Sequence, residues 1–517
     1  MLAKVSSFML AGIEAERIEV EVDVSQRGLP KTVLVGLPET AVRESAHRVE
    51  RALLNSGFTL PRGRVVINLA PAGFRKQAPT LDLPLSLGEL AASGQIPSDR
   101  LAEYAAVGEL ALDGSTRPLE GALAIARSAA NGGLFSGLLI PAENAEEAAM
   151  VNTLDIIPVR SLTQAVAFLA ETLAIEPAAA SLPCRVSGTQ IAEEDFAAED
   201  FADVQGQEQA KRALTILAGG RHHLIMVGPP GSGKTMMARR VPTIMPPLTV
   251  SEAIETTTIY SSRGLLGVET PFRWRRPFRS PHHTMTSAGL VGGGTVPSAG
   301  EISLAHHGVL FLDELPEFSR QTLEALRQPL EEGHVIISRA QRTTCFPAEF
   351  VMIGSLNPCP CGYHNDVDRR CLCSPSAIER YQRKLSGPLL DRFDLHLEVC
   401  ALPLAECLGS AKTTSSLEMR AQVQRAHKIQ AARFAGSRTQ YNSQMTPAEI
   451  GEHCQLSAPT ARLLTSTLSA WGLSARAHHK IRRVARTIAD LEGSLHVEEE
   501  HLCEAVTYRV LDRRDIP

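Results

Sequence analysis

The sequence predicts an α/β protein with a parallel sheet at its centre, a mixed α+β region ahead of it and a helical region behind. Three observations carry this expectation. Residues 200–400 alternate short apolar strands with helical stripes, the order a parallel sheet requires. One of those strands, Leu224–Val227, runs directly into the glycine-rich segment GPPGSGKT. Another, residues 308–312, ends on two adjacent carboxylates, Asp313 and Glu314, where a buried strand would normally end in turn residues.

The leading region, residues 1–170, opens with Ile18, Val20, Val22 and Val24 alternating with Glu19, Glu21 and Asp23, the period of a half-buried strand. Further strands are expected at residues 32–35 and 64–69 and a helix at 39–55, with a mixed α/β pattern punctuated by Gly and Pro running on through 138–141. Residues 171–199 are small, proline-containing and acidic, which is the composition of a linker. In the central region Ala210, Ala213, Leu214 and Leu217 form a helical stripe before the strand that meets GPPGSGKT. Residues 401–517 read as helical, with Ile481, Val484, Ala485, Ile488 and Leu491 on one face and Arg476, Lys480, Arg482, Arg483 and Arg486 on others.

A chain of 517 residues is too long for one hydrophobic core, so about three domains are expected. Its 44% hydrophobic and 21% charged composition is that of an ordinary globular protein, and a net charge of −5 supplies no global field for polyanions. Binding to nucleic acid would have to rest on local basic patches. No apolar run approaches the roughly 20 residues that span a bilayer. Only Lys4 precedes the first apolar stretch, and Glu14 and Glu16 follow it, so no signal peptide is expected. The chain reads as cytoplasmic, without a membrane partner, and its ten cysteines as reduced or metal-bound.

The segment Gly228, Pro229, Pro230, Gly231, Ser232, Gly233, Lys234 and Thr235 fits G-x-x-x-x-G-K-[ST] between a strand and a helix. Its glycines let backbone N–H groups approach phosphate, and the helix N-terminus adds partial positive charge. Lys234 is expected on the β and γ phosphates of ATP and Thr235 on Mg²⁺. Asp313 would hold Mg²⁺ through water and Glu314 would polarise the attacking water. The apolar strand 350–356 ends at Asn357, whose amide can bond the lytic water or the γ-phosphate.

These motifs together resemble AAA+ ATPases of the magnesium-chelatase-like group, most closely its ComM/YifB-type branch. RRPFRSPHHTMTSAGLVGGGTVPSAGEISLAHHGVLFLDELPEF, residues 275–318, is similar to that group's stretch through the paired acids. LNPCPCGYH and SGPLLDRFDLHLEV resemble its sensor and finger region, and LSARAHHKIRRVARTIADLE resembles its lid. The resemblance implies an AAA+ P-loop sheet with a helical lid, using ATP and Mg²⁺. It also implies that Arg392, in LLDRFD, is a finger reaching a neighbouring subunit's ATP, and that Arg476, in LSARA, is a second-sensor arginine. A finger acting on a neighbour requires a ring, so a homo-hexamer is implied. The leading region resembles a Lon-protease α+β domain, with the lysine position at Leu123 and, near the nucleophile, only Thr80 as a hydroxyl. A hydroxyl without an adjacent base is inert, so proteolysis is not expected.

Cys359, Cys361, Cys371 and Cys373 form C-x-C…C-x-C with nine residues between the pairs. A zinc site, free thiols and a redox role all remain open, since structural zinc sites usually use longer C-x₂₋₄-C spacing. Two basic segments could grip a substrate: a flexible loop carrying Arg275, Arg276 and Arg279, and a strand–turn–strand at 333–347 with Arg339 and Arg342 near its tip. Repeated around a ring, such charges could hold a DNA backbone, single-stranded or branched. Three functions therefore compete. They are a DNA translocase or helicase of the branch-migration kind, a magnesium-chelatase motor for metal insertion, and a Lon-like ATP-dependent protease. The leading region argues against the second and the missing catalytic pair against the third.

Overall fold

The computed structural model describes residues 1–25, 31–37, 40–71, 79–179, 199–267, 272–294, 297–339, 342–364, 369–401, 413–472 and 474–513. The leading region is a seven-stranded sheet. Its strands are β1 (Leu2–Ala11), β2 (Glu14–Ser25), β3 (Lys31–Val35), β4 (Arg64–Ala70), β5 (Tyr104–Ala106), β6 (Gly137–Pro141) and β7 (Asp155–Val159), in the order β3-β4-β2-β1-β5-β6-β7. Strands β1, β2 and β4 pair antiparallel, while the β3–β4, β1–β5, β5–β6 and β6–β7 pairs are parallel. Alternation in β2 does what its period implies, with Ile18, Val20 and Val22 fully buried.

The helix Asp82–Ala92 crosses this sheet with every residue buried. A Cβ on Gly88 would lie 2.7 Å from Val22 Cγ2, so glycine permits the close approach. Asp82 is held there by Arg48, whose Nε donates to its Oδ2 at 2.8 Å. Leu123, at the expected Lon lysine position, is fully buried on the helix Ala122–Ala130. Its backbone N–H donates to Glu147 Oε1 at 2.9 Å, and its side chain offers no ammonium. Thr80 is buried as well, and residues 72–78 of the expected nucleophile region lie outside the described residues. So do residues 180–198 of the expected linker.

The central sheet comprises β8 (Leu224–Val227), β9 (Phe278–Arg279), β10 (Val309–Leu312), β11 (Val351–Leu356) and β12 (Leu395–Glu398). All are parallel, in the order β9-β10-β11-β8-β12. Helices cover both faces, which explains why β10 and β11 read as unbroken apolar runs. Register aligns Val227 with Leu356 and Leu312 with Gly354, so the ends of β8, β10 and β11 lie side by side. Ligands of open parallel sheets bind at that edge. The strands His334–Arg339 and Arg342–Pro347 form an antiparallel hairpin just before β11.

Residues from 413 onward are helical, chiefly Ser416–Arg433, Ala458–Ala470, Ala475–Glu492 and Glu499–Thr507. Their apolar stripe is not a separate core. Val423, Val484 and Ile488 share one buried cluster with Leu217, Leu224 and Met237 of the central region. The leading region also touches the central one directly. Gly121 N donates to Ser261 O at 3.1 Å, and the hydroxyl of Ser261 donates to the buried Glu147. The β1–β2 turn at Gly12 seats on the hairpin, where an added Cβ would lie 2.4 Å from Thr344 Cγ2. Among the described residues no helix is long and apolar enough to cross a membrane.

Candidate active site

The glycine-rich segment leaves β8 and turns through left-handed Gly231 (φ 79°) and Gly233 (φ 84°) into the helix Lys234–Ile244. A Cβ on Gly231 would meet nothing within 4 Å, so the loop encloses open space at this point. Lys234 is buried, and its Nζ donates to Gly228 O at 2.7 Å and Pro229 O at 2.9 Å. Asn357, at the end of β11, brings its Oδ1 within 3.4 Å of the same Nζ. Burial pulls the Lys234 pKa down, while Asp313 and Glu314 oppose that shift and favour the charged form. The result is a buried cation held against the loop's own carbonyl oxygens.

Asp313 follows β10 and is fixed by three donors. The Thr235 hydroxyl donates to its Oδ2 at 2.8 Å, and both the Ser355 hydroxyl and Glu314 N–H donate to its Oδ1. A hydroxyl and a carboxylate of this pairing are hard oxygen donors of the kind Mg²⁺ takes, so the residues fit that ion. Glu314 adopts a left-handed backbone (φ 51°), uncommon for a residue with a side chain. Its carboxylate is half exposed and lies 3.7 Å from His283 Nδ1. With Asn357, Tyr381 and Lys384 it lines a cleft of about 580 Å³ at the mouth of the site.

Arg392 and Arg476 lie elsewhere. Both line a second cleft of about 590 Å³, together with Asp391, Lys480 and Arg483, and no residue of 228–235 borders it. Arg392 pairs with Glu331, a partner distant in sequence from the neighbouring Asp391 and Asp394, and its buried Nε has no hydrogen-bond partner among the described residues. Arg476 is well exposed and stands 3.9 Å from Asp391. Within one chain, then, Lys234 and the arginine expected to be the second sensor do not line one cleft.

The basic loop is corrected at two positions. Arg276 is buried, not solvent-facing; it bonds Glu252, Pro246 O and His307 O, and burial pushes its guanidinium down to about 10. Arg279 is gripped by both carboxylate oxygens of Glu301 at 2.6 and 2.7 Å. Arg276 is thereby closed to a polyanion, whereas Arg279, half-buried, already carries a carboxylate partner. The loop is also not simply flexible, since it contributes β9 and the short helix Ser287–Val291. Arg275 is exposed, and so is Arg339, whose Nε donates to Gly294 O at 3.3 Å. The hairpin tip and the glycine-rich run therefore touch. The side chain of Arg342 lies outside the described residues, although its backbone pairs with Arg339.

Sequence reasoning missed Ser355 and His283 as partners of the two acids. The signal for Ser355 was present as a lone hydroxyl in the apolar strand Val351–Leu356.

A phosphate loop, paired acids and an asparagine on adjoining strands of a sheet in this order define a P-loop ATPase of the AAA+ class. Comparison with known proteins narrows the class. Residues 200–407 match the family described as magnesium chelatase, subunit ChlI; residues 20–144 match subunit ChlI of Mg-chelatase; and residues 413–509 match the ChlI C-terminal region. The chain belongs to the magnesium-chelatase-like AAA+ ATPases, in the group of YifB and ComM. It is 42% identical to YifB of Salmonella typhimurium over 99% of this chain and 98% of that protein. YifB of Escherichia coli is 40% identical over 97% and 96%, and the competence protein ComM of Haemophilus influenzae 42% over 99% and 98%. The family implies ATP hydrolysis with Mg²⁺.

Proposed function

We propose that this chain is the subunit of a homo-hexameric, cytoplasmic DNA motor, a helicase or branch-migration translocase acting in recombination or natural transformation. The observation that carries the ring is the separation of Arg392 and Arg476 from Lys234 within one chain. An arginine fork stabilises charge on transferring phosphoryl oxygens only by contact. A neighbouring copy that docks its Arg392 cleft over the mouth at Glu314 would supply that contact.

In the assembled site Lys234 and the loop amides would hold the β and γ phosphates, and Asn357 would orient the water that Glu314 polarises. Bound Mg²⁺ would neutralise phosphate charge between Thr235 and Asp313. The left-handed backbone of Glu314 puts its carboxylate in the lining of the cleft, which supports a role in polarising the attacking water.

The DNA reading is supported by exposed Arg339 at a hairpin tip that contacts a glycine-rich loop, and by the relative whose name is competence protein ComM. Sixfold repetition of such a tip would hold a phosphate backbone. Few aromatics stand near it, so the grip would follow backbone charge with little base stacking. A chelatase motor is disfavoured by the full-length likeness to YifB and ComM, and a Lon-like protease by the buried Leu123. ATP turnover measured with single-stranded, duplex and forked DNA tests the proposal. Forked DNA should stimulate it most, Arg339→Ala should blunt the stimulation, and equal turnover with every DNA and with none would reject the reading.

A further inference from the structure

The four cysteines that the ATP site leaves unused converge on one point. Their sulfurs all lie within 4.8 Å of one another. Cys359 Sγ is 3.3 Å from Cys361 Sγ and 3.7 Å from Cys371 Sγ, and the last two are 3.6 Å apart. Bonded sulfurs sit at about 2.05 Å, so none of these contacts is a disulfide. Four sulfurs each about 2.3 Å from a tetrahedral zinc ion stand about 3.8 Å from one another. Three edges of the cluster are thus close to those of a Zn–S₄ tetrahedron, and Cys373 stands within 4.8 Å of the other three sulfurs.

Packing does not account for it. A cysteine buried for its apolar character is surrounded by hydrocarbon, whereas the fully buried Cys359 has the sulfurs of Cys361 and Cys371 against its own. Thiols gathered this closely repel once they ionise, unless a cation sits among them. Tetrahedral all-sulfur sites select zinc or iron, and redox-inert zinc suits a structural role.

The position of the knuckle gives it a task. Cys359 follows Asn357 by two residues, and Gln382 Nε2 donates to Pro358 O at 3.4 Å, which ties the segment between them to the helix Pro375–Gln382. On the other side Gly362 (φ 86°) lies against the phosphate loop, where an added Cβ would come within 2.5 Å of Pro230 Cδ. We propose that Cys359, Cys361, Cys371 and Cys373 bind one zinc ion, and that the knuckle it closes braces Pro230 and Asn357 at the distance ATP binding requires.

Metal analysis of the purified full-length protein tests the first half. Stoichiometric zinc is expected, with loss of the metal in Cys371→Ser/Cys373→Ser and retention in Cys345→Ser. Sub-stoichiometric zinc, iron in its place, or zinc that survives the double substitution would overturn the site. Because the double variant can fail to fold, the unmodified protein is also stripped with a chelator and given Co²⁺. A tetrahedral thiolate–cobalt spectrum is expected, and an octahedral spectrum would overturn the assignment. For the second half, zinc removal should raise the KM for ATP several-fold, with recovery on zinc addition. An unchanged KM in protein verified as zinc-free would overturn the brace. Metal content is read without reference to DNA, so its failure is distinct from failure of the motor reading.

Discussion

Lys480 Nζ stands 3.1 Å from Asp394 Oδ1, and so joins the helix that carries Arg476 to the turn that carries Arg392. The same ammonium donates to Phe393 O at 3.0 Å. Burial alone would push the Asp394 carboxyl up, but Lys480 and the adjacent His222 and His223 hold it well below the usual carboxylate range. The two arginines are thereby set on one rigid piece, although they are 84 residues apart in sequence.

Removing that tie should be costly. Lys480→Met leaves a buried carboxylate with its main counter-charge gone, a loss of about 3 kcal/mol. Urea denaturation should show the drop in stability. ATP turnover should fall more than nucleotide affinity does, because the phosphate loop is untouched.

The neighbour-completed site predicts complementation. Lys234→Ala and Arg392→Ala should each lower turnover by about 10³-fold or more. Mixed in equal amounts and allowed to assemble, they should regain activity, because some interfaces then pair an intact Lys234 with an intact Arg392. A mixture no more active than its parts would contradict the arrangement.

Glu314→Gln should keep ATP binding while turnover falls by about 10²- to 10⁴-fold, the range of a lost general base. Equilibrium binding of a fluorescent nucleotide and steady-state hydrolysis separate the two effects. Substantial residual turnover would remove Glu314 from the role.

The leading region has a pH dependence of its own. Burial, with a smaller contribution from Glu50, raises Glu89 on the helix Asp82–Ala92 to about 7. A carboxyl with a raised folded pKa keeps its proton in the native state after the unfolded chain has lost it. Stability should therefore decline as pH rises from the ordinary glutamate value to about 7 and level off above it, by about 3 kcal/mol from this group. Glu89→Gln should flatten that slope in denaturation curves taken between pH 5 and pH 8 at about unit intervals.

What the sequence disclosed and what it hid follow from range. Some strands of both sheets were legible because burial is written into consecutive residues, as in Val351–Leu356 or the alternation of Glu14–Ser25, whereas Leu2–Ala11, Tyr104–Ala106, Asp155–Val159, Phe278–Arg279 and Leu395–Glu398 were not. The phosphate loop was legible because its chemistry is contiguous. Arg276 and Arg279 were misread because their carboxylates, Glu252 and Glu301, are more than twenty residues away. An arginine facing solvent and one locked to a distant glutamate look alike in a basic loop. The separation of Arg476 from Lys234 was hidden for the same reason, since only the packing of the last helices decides which cleft that side chain enters.

The seat of Gly12 on Thr344 gears the first sheet to the hairpin that ends at Arg339. The β1–β2 turn and the hairpin bear directly on each other at this contact, so a displacement of either would press on the other. Any bulkier residue at position 12 would have to hold a φ of 73° and push Thr344 aside, which separates the two elements at a point remote from Lys234 and Glu314.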